Sequence, residues 1–309
     1  MSPRAQVVTC DRLGGPEVLS VISEPLGDPG PGQVQVYNRV IGVNPYDWKV
    51  FSGALGTSMR VSFPHTPGSE SSGVVYSVGP GVEGFESGDE VVYSGSKAYR
   101  SAMNVDAQRL LHKPVSISFE QAAVLPVAGG TAYAAAMQLG LSSLDTLLIL
   151  GGSGGVGSAL IQIARNLGTK VIATASPANH DRLQGLGAIP LAHGEASLTA
   201  IGAEVSVTAV VDLVGDAAEW ELVRTVMRST GRVVTAVANE RTSALGIGPI
   251  AHRVDELGAV LELAGNGQLT MEITRRFPLG EVAQALRMSM EGHPRGKLVL
   301  LVEDLARDH

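Results

Sequence analysis

The residues best suited to chemistry lie in LLILGGSGGVGSALIQIARNLG, positions 147–168. An apolar strand pattern runs directly into Gly152-Ser153-Gly154-Gly155-Val156-Gly157, and an amphipathic helix pattern follows at once. At a turn that carries a pyrophosphate each glycine has its own task. Gly152 permits the tight bend, Gly154 lets backbone approach the phosphates, and Gly157 lets helix pack on strand. The first-turn N–H groups and the positive end of the helix dipole then face the anion. A GxGxxG run alone is a weak signal, but this one has the strand before it, the helix within it and a second strand after it. The reading is a dinucleotide phosphate site formed by Gly152, Gly154, Gly155, Val156 and Gly157, against the alternative of a plain glycine-rich turn.

The second strand, Lys170–Ala175, should end beside the adenine ribose. An NAD enzyme usually places an acidic residue there to bind the 2′-hydroxyl. Here the strand runs out in Ala175-Ser176, with Asn179, His180 and Arg182 close behind. A carboxylate would repel a 2′-phosphate, whereas hydroxyl, amide and guanidinium groups hold one. Ser176, Asn179 and Arg182 therefore point to NADPH. Asp181 weighs the other way, and Arg182 also reads as a solvated helix residue.

These groups need a scaffold. The chain has 309 residues, 44% apolar and 17% charged, enough for one large or two moderate folded domains. Up to about Ser118 it reads as β-rich, with short strands near Gln6–Cys10, Gln33–Val43, Gly73–Val78 and Glu90–Tyr93. Gly and Pro clusters separate them, which suggests a small antiparallel barrel or sandwich. Phe119 to Leu139 is Ala-rich with helical spacing. From Thr146 strands alternate with helices: strands at Thr146–Leu150, Lys170–Ala175, Val207–Leu213, Gly231–Ala238 and Leu269–Ile273, helices at Val156–Leu167, Asn179–Leu186, Ala217–Met227 and His252–Ala264. That alternation implies a doubly wound parallel sheet. A helix at Leu279–Met290 and a strand at Lys297–Val302 close the chain.

The formal charge of −7 argues against a nucleic-acid binder. A single cysteine, Cys10, rules out an internal disulfide and a cysteine-built zinc site, and reads as a small buried hydrophobe. Nothing in the sequence has the length of a membrane span or a signal h-region, so a soluble cytoplasmic protein with no membrane partner is expected.

Several ordered motifs give the chain a wider likeness. Gly14-Gly15-Pro16-Glu17-Val18-Leu19 comes first, then Val43-Asn44-Pro45-Tyr46-Asp47. Pro67-Gly68-Ser69-Glu70, Gly73-Val74, Val78-Gly79-Pro80-Gly81-Val82 and Gly88-Asp89 follow. Gly130-Thr131-Ala132-Tyr133 and Gly296-Lys297 complete the series. Together they resemble the zinc-free quinone oxidoreductase branch of the medium-chain dehydrogenase/reductase superfamily, over nearly the whole chain. The resemblance implies an α/β protein: a GroES-like β-barrel catalytic domain from residues 1–121 and 267–309, and a Rossmann NADP-binding domain from residues 122–266. It implies a homodimer as well.

The family's zinc branch carries a cysteine where this chain has Asn44 and a histidine where it has Ser69, so no metal site is expected. Without a Lewis acid, hydride transfer suits an acceptor that is already electron-poor. The implied substrate is a small quinone or enone, reduced at the expense of NADPH. The resemblance makes Asn44 a donor to the substrate oxygen, or else a turn residue before Pro45. Tyr46 becomes a proton source or a pocket wall, and Asp47 orders the loop and reaches the nicotinamide ribose. Thr131, read as lying at a helix start, contacts nicotinamide or caps the turn. His193 stands where the family often has an adenosine-side tyrosine. Ser52-Gly53-Ala54-Leu55-Gly56 lacks the tyrosine of enoyl-thioester reductases, which counts against that rival. The stretch between residues 238 and 252 is short for the family. Reduction of 2-alkenals or enoyl thioesters, and a non-catalytic NADPH-binding protein resembling crystallins, remain the alternatives.

Overall fold

Val- and Ile-rich alternation over 33–43 forms the longest strand of the first unit, and the rest of that unit is built against it. The structure is a computed structural model that describes residues 4–56, 59–194, 206–237, 239–252, 255–292 and 296–303. In chain order the strands are β1 (Arg4–Thr9), β2 (Ser20–Pro25), β3 (Gln33–Val43), β4 (Glu70–Val78), β5 (Glu90–Ser94), β6 (Ala102–Asp106) and β7 (Leu110–His112). β1 and β2 pair with each other, and β3 pairs with both β4 and β6. Two register shifts along the β3–β4 ladder bend the strand, as bulges do. After β3 comes helix α1 (Pro45–Ser52), which starts on a proline and ends on Gly53 in the left-handed region.

The helical stretch expected from Phe119 to Leu139 is two helices, α2 (Phe119–Ala123) and α3 (Leu125–Gln138), separated at Val124. Beyond them lie β8 (Thr146–Leu150), α4 (Gly155–Asn166), β9 (Lys170–Thr174), α5 (His180–Leu186) and β10 (Ile189–Leu191). The series continues with β11 (Val207–Asp212), α6 (Ala217–Val226), β12 (Met227–Thr235), α7 (Glu240–Ala244), β13 (Gly248–Pro249) and α8 (Glu256–Gly265). The six strands form one parallel sheet in the order β10-β9-β8-β11-β12-β13. Leu147 to Leu150 have no solvent access, as expected for a strand covered on both faces. β8 lies between β9 and β11, so the strand order reverses there, the usual position of a ligand crevice in such sheets.

The chain then returns to the first unit through β14 (Ile273–Pro278), helix α9 (Val282–Met290) and β15 (Lys297–Leu301). The resulting sheet runs β14-β15-β3-β4-β5-β7, with β6 also on β3. Val34, Val36, Ile41, Val75, Val91 and Phe51 share a core with Leu286 of α9 and with Leu298 and Leu300 of β15. Cys10 is buried in the same core. The chain divides into two compact units, 1–127 with 272–309, and 128–271. This is a few residues beyond the expected division at 121/122 and 266/267. Val127 donates to Glu70, and Lys297 to the carbonyl of Glu272, which tie both segments to the first unit.

Other sequence expectations need correction. Leu269–Ile273 is not a strand of the parallel sheet: the ladder begins at Ile273 and pairs with β15 of the first unit. The reason is local, because the N–H and carbonyl of Thr270 are both taken by the Gln162 side chain. Within the short stretch after β12 lie α7 and β13, though Ala238 is outside the described residues. Strands β2, β6, β7, β10 and β13 and helices α1 and α7 were not foreseen. Among the described residues no helix is long and apolar enough to cross a membrane.

Phe51 anchors α1 with none of its side chain exposed. Phe51→Ala should lower stability by about 3–5 kcal/mol, read as a drop in the first urea transition of the intact chain; a loss below 1 kcal/mol would contradict this packing.

Candidate active site

Antiparallel register brings the first cluster together. Leu298 faces Val43 across the β15–β3 ladder, so Lys297 comes opposite Asn44, the N-cap residue of α1. Ser71 faces Ile41, which brings Glu70 alongside Gly42. A Cβ on Gly42 would lie 2.2 Å from Glu70 Oε1, so this position has no room for a side chain. Asn44 Nδ2 donates to Glu70 Oε1 at 2.7 Å, and its Oδ1 accepts from Lys297 Nζ. Lys297 also pairs with Glu70 Oε1 at 3.0 Å. Glu70 Oε2 accepts the N–H of Val127, in the first turn of α3, at 2.7 Å. Glu70, Lys297 and Asn44 are all buried, so every member needs its partners.

Asp47 is the second centre. Its Oδ2 accepts the Asn44 N–H at 2.8 Å and the Tyr99 hydroxyl at 2.9 Å, and its Oδ1 accepts the Ser69 hydroxyl at 2.7 Å. Burial pushes its carboxyl up to about 6 despite these three donors. The Tyr99 phenol is raised by its own burial and by the neighbouring Asp47 charge. Asp47 thus ties the Asn44 N–H to Ser69 and Tyr99. Asn44's carboxamide turns into the Glu70–Lys297 network, and Asn44 and Asp47 together form a capping box at the start of α1. One amide hydrogen of Asn44 has no acceptor among the described residues. Tyr46 stands apart, 47% exposed, its hydroxyl 3.8 Å from Met59 Sδ. Thr131 is not at a helix start but well inside α3, because the helix already begins at Leu125.

In the second unit the glycine turn has the anticipated shape. A Cβ on Gly152 would meet Ala173 Cβ at 2.6 Å, and one on Gly157 would meet the carbonyl oxygen of Gly151 at 2.5 Å. These two positions must be glycine for turn, strand and helix to pack. Gly154 differs: a Cβ there meets only the Gly151 oxygen, at 3.9 Å, so its face of the turn is open to a ligand. The N–H groups of Gly155, Val156 and Gly157 have no acceptor among the described residues. An open glycine beside unfilled helix N–H groups forms an anion cradle.

Thr174, which sequence reasoning passed over, ties this turn to β9. Its hydroxyl accepts from Gly151 N at 3.0 Å and its carbonyl from Gly152 N at 2.8 Å. Arg182 reaches back across the turn, its Nη1 donating to the Ser153 carbonyl at 3.0 Å. Ser176 is exposed and accepts from Asn179 Nδ2 at 3.0 Å, while buried Asn179 Oδ1 has no partner among the described residues. No acidic residue occupies the end of β9. His193 pairs through Nδ1 with Glu219 Oε1 at 2.8 Å. Asp212, also missed, is fully buried and fixes the loop after β11 by accepting from Val214 N, Gly215 N, the Trp220 indole and the Thr235 hydroxyl. Among the described residues no three His, Cys, Asp or Glu side chains gather as a metal cluster.

Comparison with known proteins adds a further line of support. The alcohol dehydrogenase GroES-like domain matches residues 30–138, and the zinc-binding dehydrogenase family matches residues 186–300. The chloroplastic quinone-oxidoreductase QR1 of Triphysaria versicolor is 28% identical over 93% of this chain and 95% of its own length. The solved quinone oxidoreductase of Coxiella burnetii superposes with a TM-score of 0.86 at 29% identity, over 97% of this chain and all of that one. The Escherichia coli quinone oxidoreductase complexed with NADPH gives 0.85 at 26% identity, over 96% and 99%. The ordered motifs, the GroES-like first unit, the Rossmann-like parallel sheet of the second and these full-length likenesses agree: the chain belongs to the quinone oxidoreductase branch of the medium-chain dehydrogenase/reductase superfamily.

Proposed function

We propose that the protein is a zinc-independent, NADPH-dependent oxidoreductase that reduces a small quinone or enone. The observation that carries this reading is the cradle at the glycine turn, open at Gly154 and lined by three N–H groups without acceptors among the described residues. Those N–H groups, from Gly155, Val156 and Gly157, fit a pyrophosphate. Arg182 and Ser176 hold the 2′-phosphate, Asn179 Oδ1 accepts a ribose hydroxyl, and His193 lies toward the adenosine. The missing acidic residue at the end of β9 favours NADPH over NADH. When bound, the reduced nicotinamide supplies a hydride from its C4.

The first unit's residues polarise and protonate. Lys297 and Glu70 fix the two ends of the Asn44 carboxamide, which leaves one N–H to donate to the acceptor oxygen as negative charge grows there. Fixing a donor before the reaction avoids the cost of reorienting it during the reaction. Tyr46, half-exposed, supplies the proton or relays it from solvent. By the family resemblance Asp47 and Thr131 are assigned to the nicotinamide end of the cofactor, Asp47 acting through the loop it orders. Asn44 and Ser69 stand where a metal-dependent relative needs thiolate and imidazole, and both are committed to hydrogen bonds with Glu70, Lys297 and Asp47.

Three measurements test the proposal. Steady NADPH oxidation with 1,4-benzoquinone or a 2-alkenal should occur in metal-free buffer, and Asn44→Ala should lower kcat about 100-fold with NADPH affinity retained. Tight NADPH binding without turnover by either acceptor would refute the catalytic role. Arg182→Ala should weaken NADPH about 10-fold or more in a fluorescence titration and leave NADH within a factor of about 3; equal losses would contradict the 2′-phosphate assignment. The third concerns Asp47, whose carboxyl holds its proton to about pH 6 when folded but only to the ordinary aspartate value of 3.8 when unfolded. The folded state therefore binds the extra proton between those values, and Asp47's contribution to stability should fall by about 2 kcal/mol as the pH rises from 4 to 6. Urea midpoints of parent and Asp47→Asn across that range should converge or diverge accordingly; parallel curves would refute the shift.

A further inference from the structure

The first unit contains a second concavity formed by none of the residues assigned above. It is a cleft of about 740 Å³, lined by Lys97, Arg100, Arg109, Tyr93 and Met103, with Asp106 its one acidic lining residue. Arg100 and Arg109 both act electrostatically on the Tyr93 phenol, which is itself held by the Ser96 backbone. Arg100 is braced by Glu24 at 3.3 Å and Thr66 Oγ1 at 3.4 Å. Lys97 and Arg109 have no hydrogen-bond or carboxylate partner among the described residues. Burial first, and Lys97 second, disfavour protonation of the neighbouring half-buried His65. In a chain of net charge −7, three cations against one carboxylate in a single hollow run against the overall balance.

The backbone gives a second, independent observation. Lys97 has a φ of +63°, and it is the one described non-glycine residue in the left-handed region. Glycine occupies the seventeen other described positions with positive φ. Glycine would relax the backbone here, so Lys97 holds strain of the kind that is found where a site needs the side chain.

We propose that this cleft binds a small organic dianion, a phosphate monoester or a dicarboxylate, with its paired anionic oxygens between Lys97 and Arg109. Arg100 is paired with Glu24, so Lys97 and Arg109 are the two lining cations without a carboxylate partner among the described residues, one for each negative charge of the ligand. The volume falls in the range of small-ligand sites. Tyr93 and Met103 offer an apolar wall to the carbon skeleton.

Isothermal titration of the intact chain at low salt, with inorganic phosphate, pyrophosphate and succinate as probes and chloride at matched ionic strength as control, tests the site. Saturable one-to-one binding is expected for at least one probe, weakened about 10-fold or more by Lys97→Gly and by Arg109→Gln. Stronger phosphate binding assigns the phosphoryl source, and stronger succinate binding assigns the dicarboxylate. Lys97→Gly should fold with a Tm no lower than the parent and unchanged hydride-transfer activity, so lost binding cannot come from a damaged fold. Binding that persists undiminished in both variants belongs to the glycine turn and overturns the proposal, as does the absence of saturable binding by every probe.

Discussion

A carboxylate without access to water must be neutralised and hydrogen-bonded where it lies, and Glu70 sets that demand for the first unit. One of its oxygens is shared by Asn44 and Lys297, the other is taken by the N–H of Val127. The charge therefore joins four separate parts of the chain: β4, the start of α1, the start of α3 and the last strand. Removing any partner leaves a buried charge exposed to an apolar surround, which is far worse than never having placed it there. Gly42 follows from the same constraint, because the carboxylate lies where its side chain would be.

The Asp47 network is coupled to this one through Asn44. The backbone N–H of Asn44 belongs to Asp47 and its carboxamide belongs to Glu70 and Lys297, so both its position and its rotation are set. Two anions and one cation thus determine how a neutral amide is presented. In the second unit the corresponding constraint is steric: Gly152 and Gly157 remove side chains so that turn, strand and helix close together, and Thr174 fastens the bend to β9.

What could be read from the sequence divides along physical lines. The glycine turn was legible at Gly152 and Gly157 because close packing of turn, strand and helix leaves no room for a side chain there. Strands β3, β8 and β9 were legible because burial writes a clear apolar pattern. The short strands β2, β6, β7, β10 and β13 were not, since two to six residues carry too little periodicity. Thr131 was misplaced because the pause at Val124 and the start at Leu125-Pro126 leave only a faint mark in an Ala-rich stretch. Lys297 appeared in the sequence only as part of a motif, because its partner lies 253 positions away and antiparallel register alone brings them together.

The return of β15 to β3 also orders events in time. During vectorial synthesis residues 128–271 emerge as one uninterrupted segment and can complete their own sheet. The earlier segment cannot, because the strand that pairs with Val40–Val43 of β3, and the ammonium that compensates Glu70, leave the ribosome only afterwards. Until then an open β3 edge and an uncompensated acid wait in the nascent chain, the kind of surface that chaperones guard.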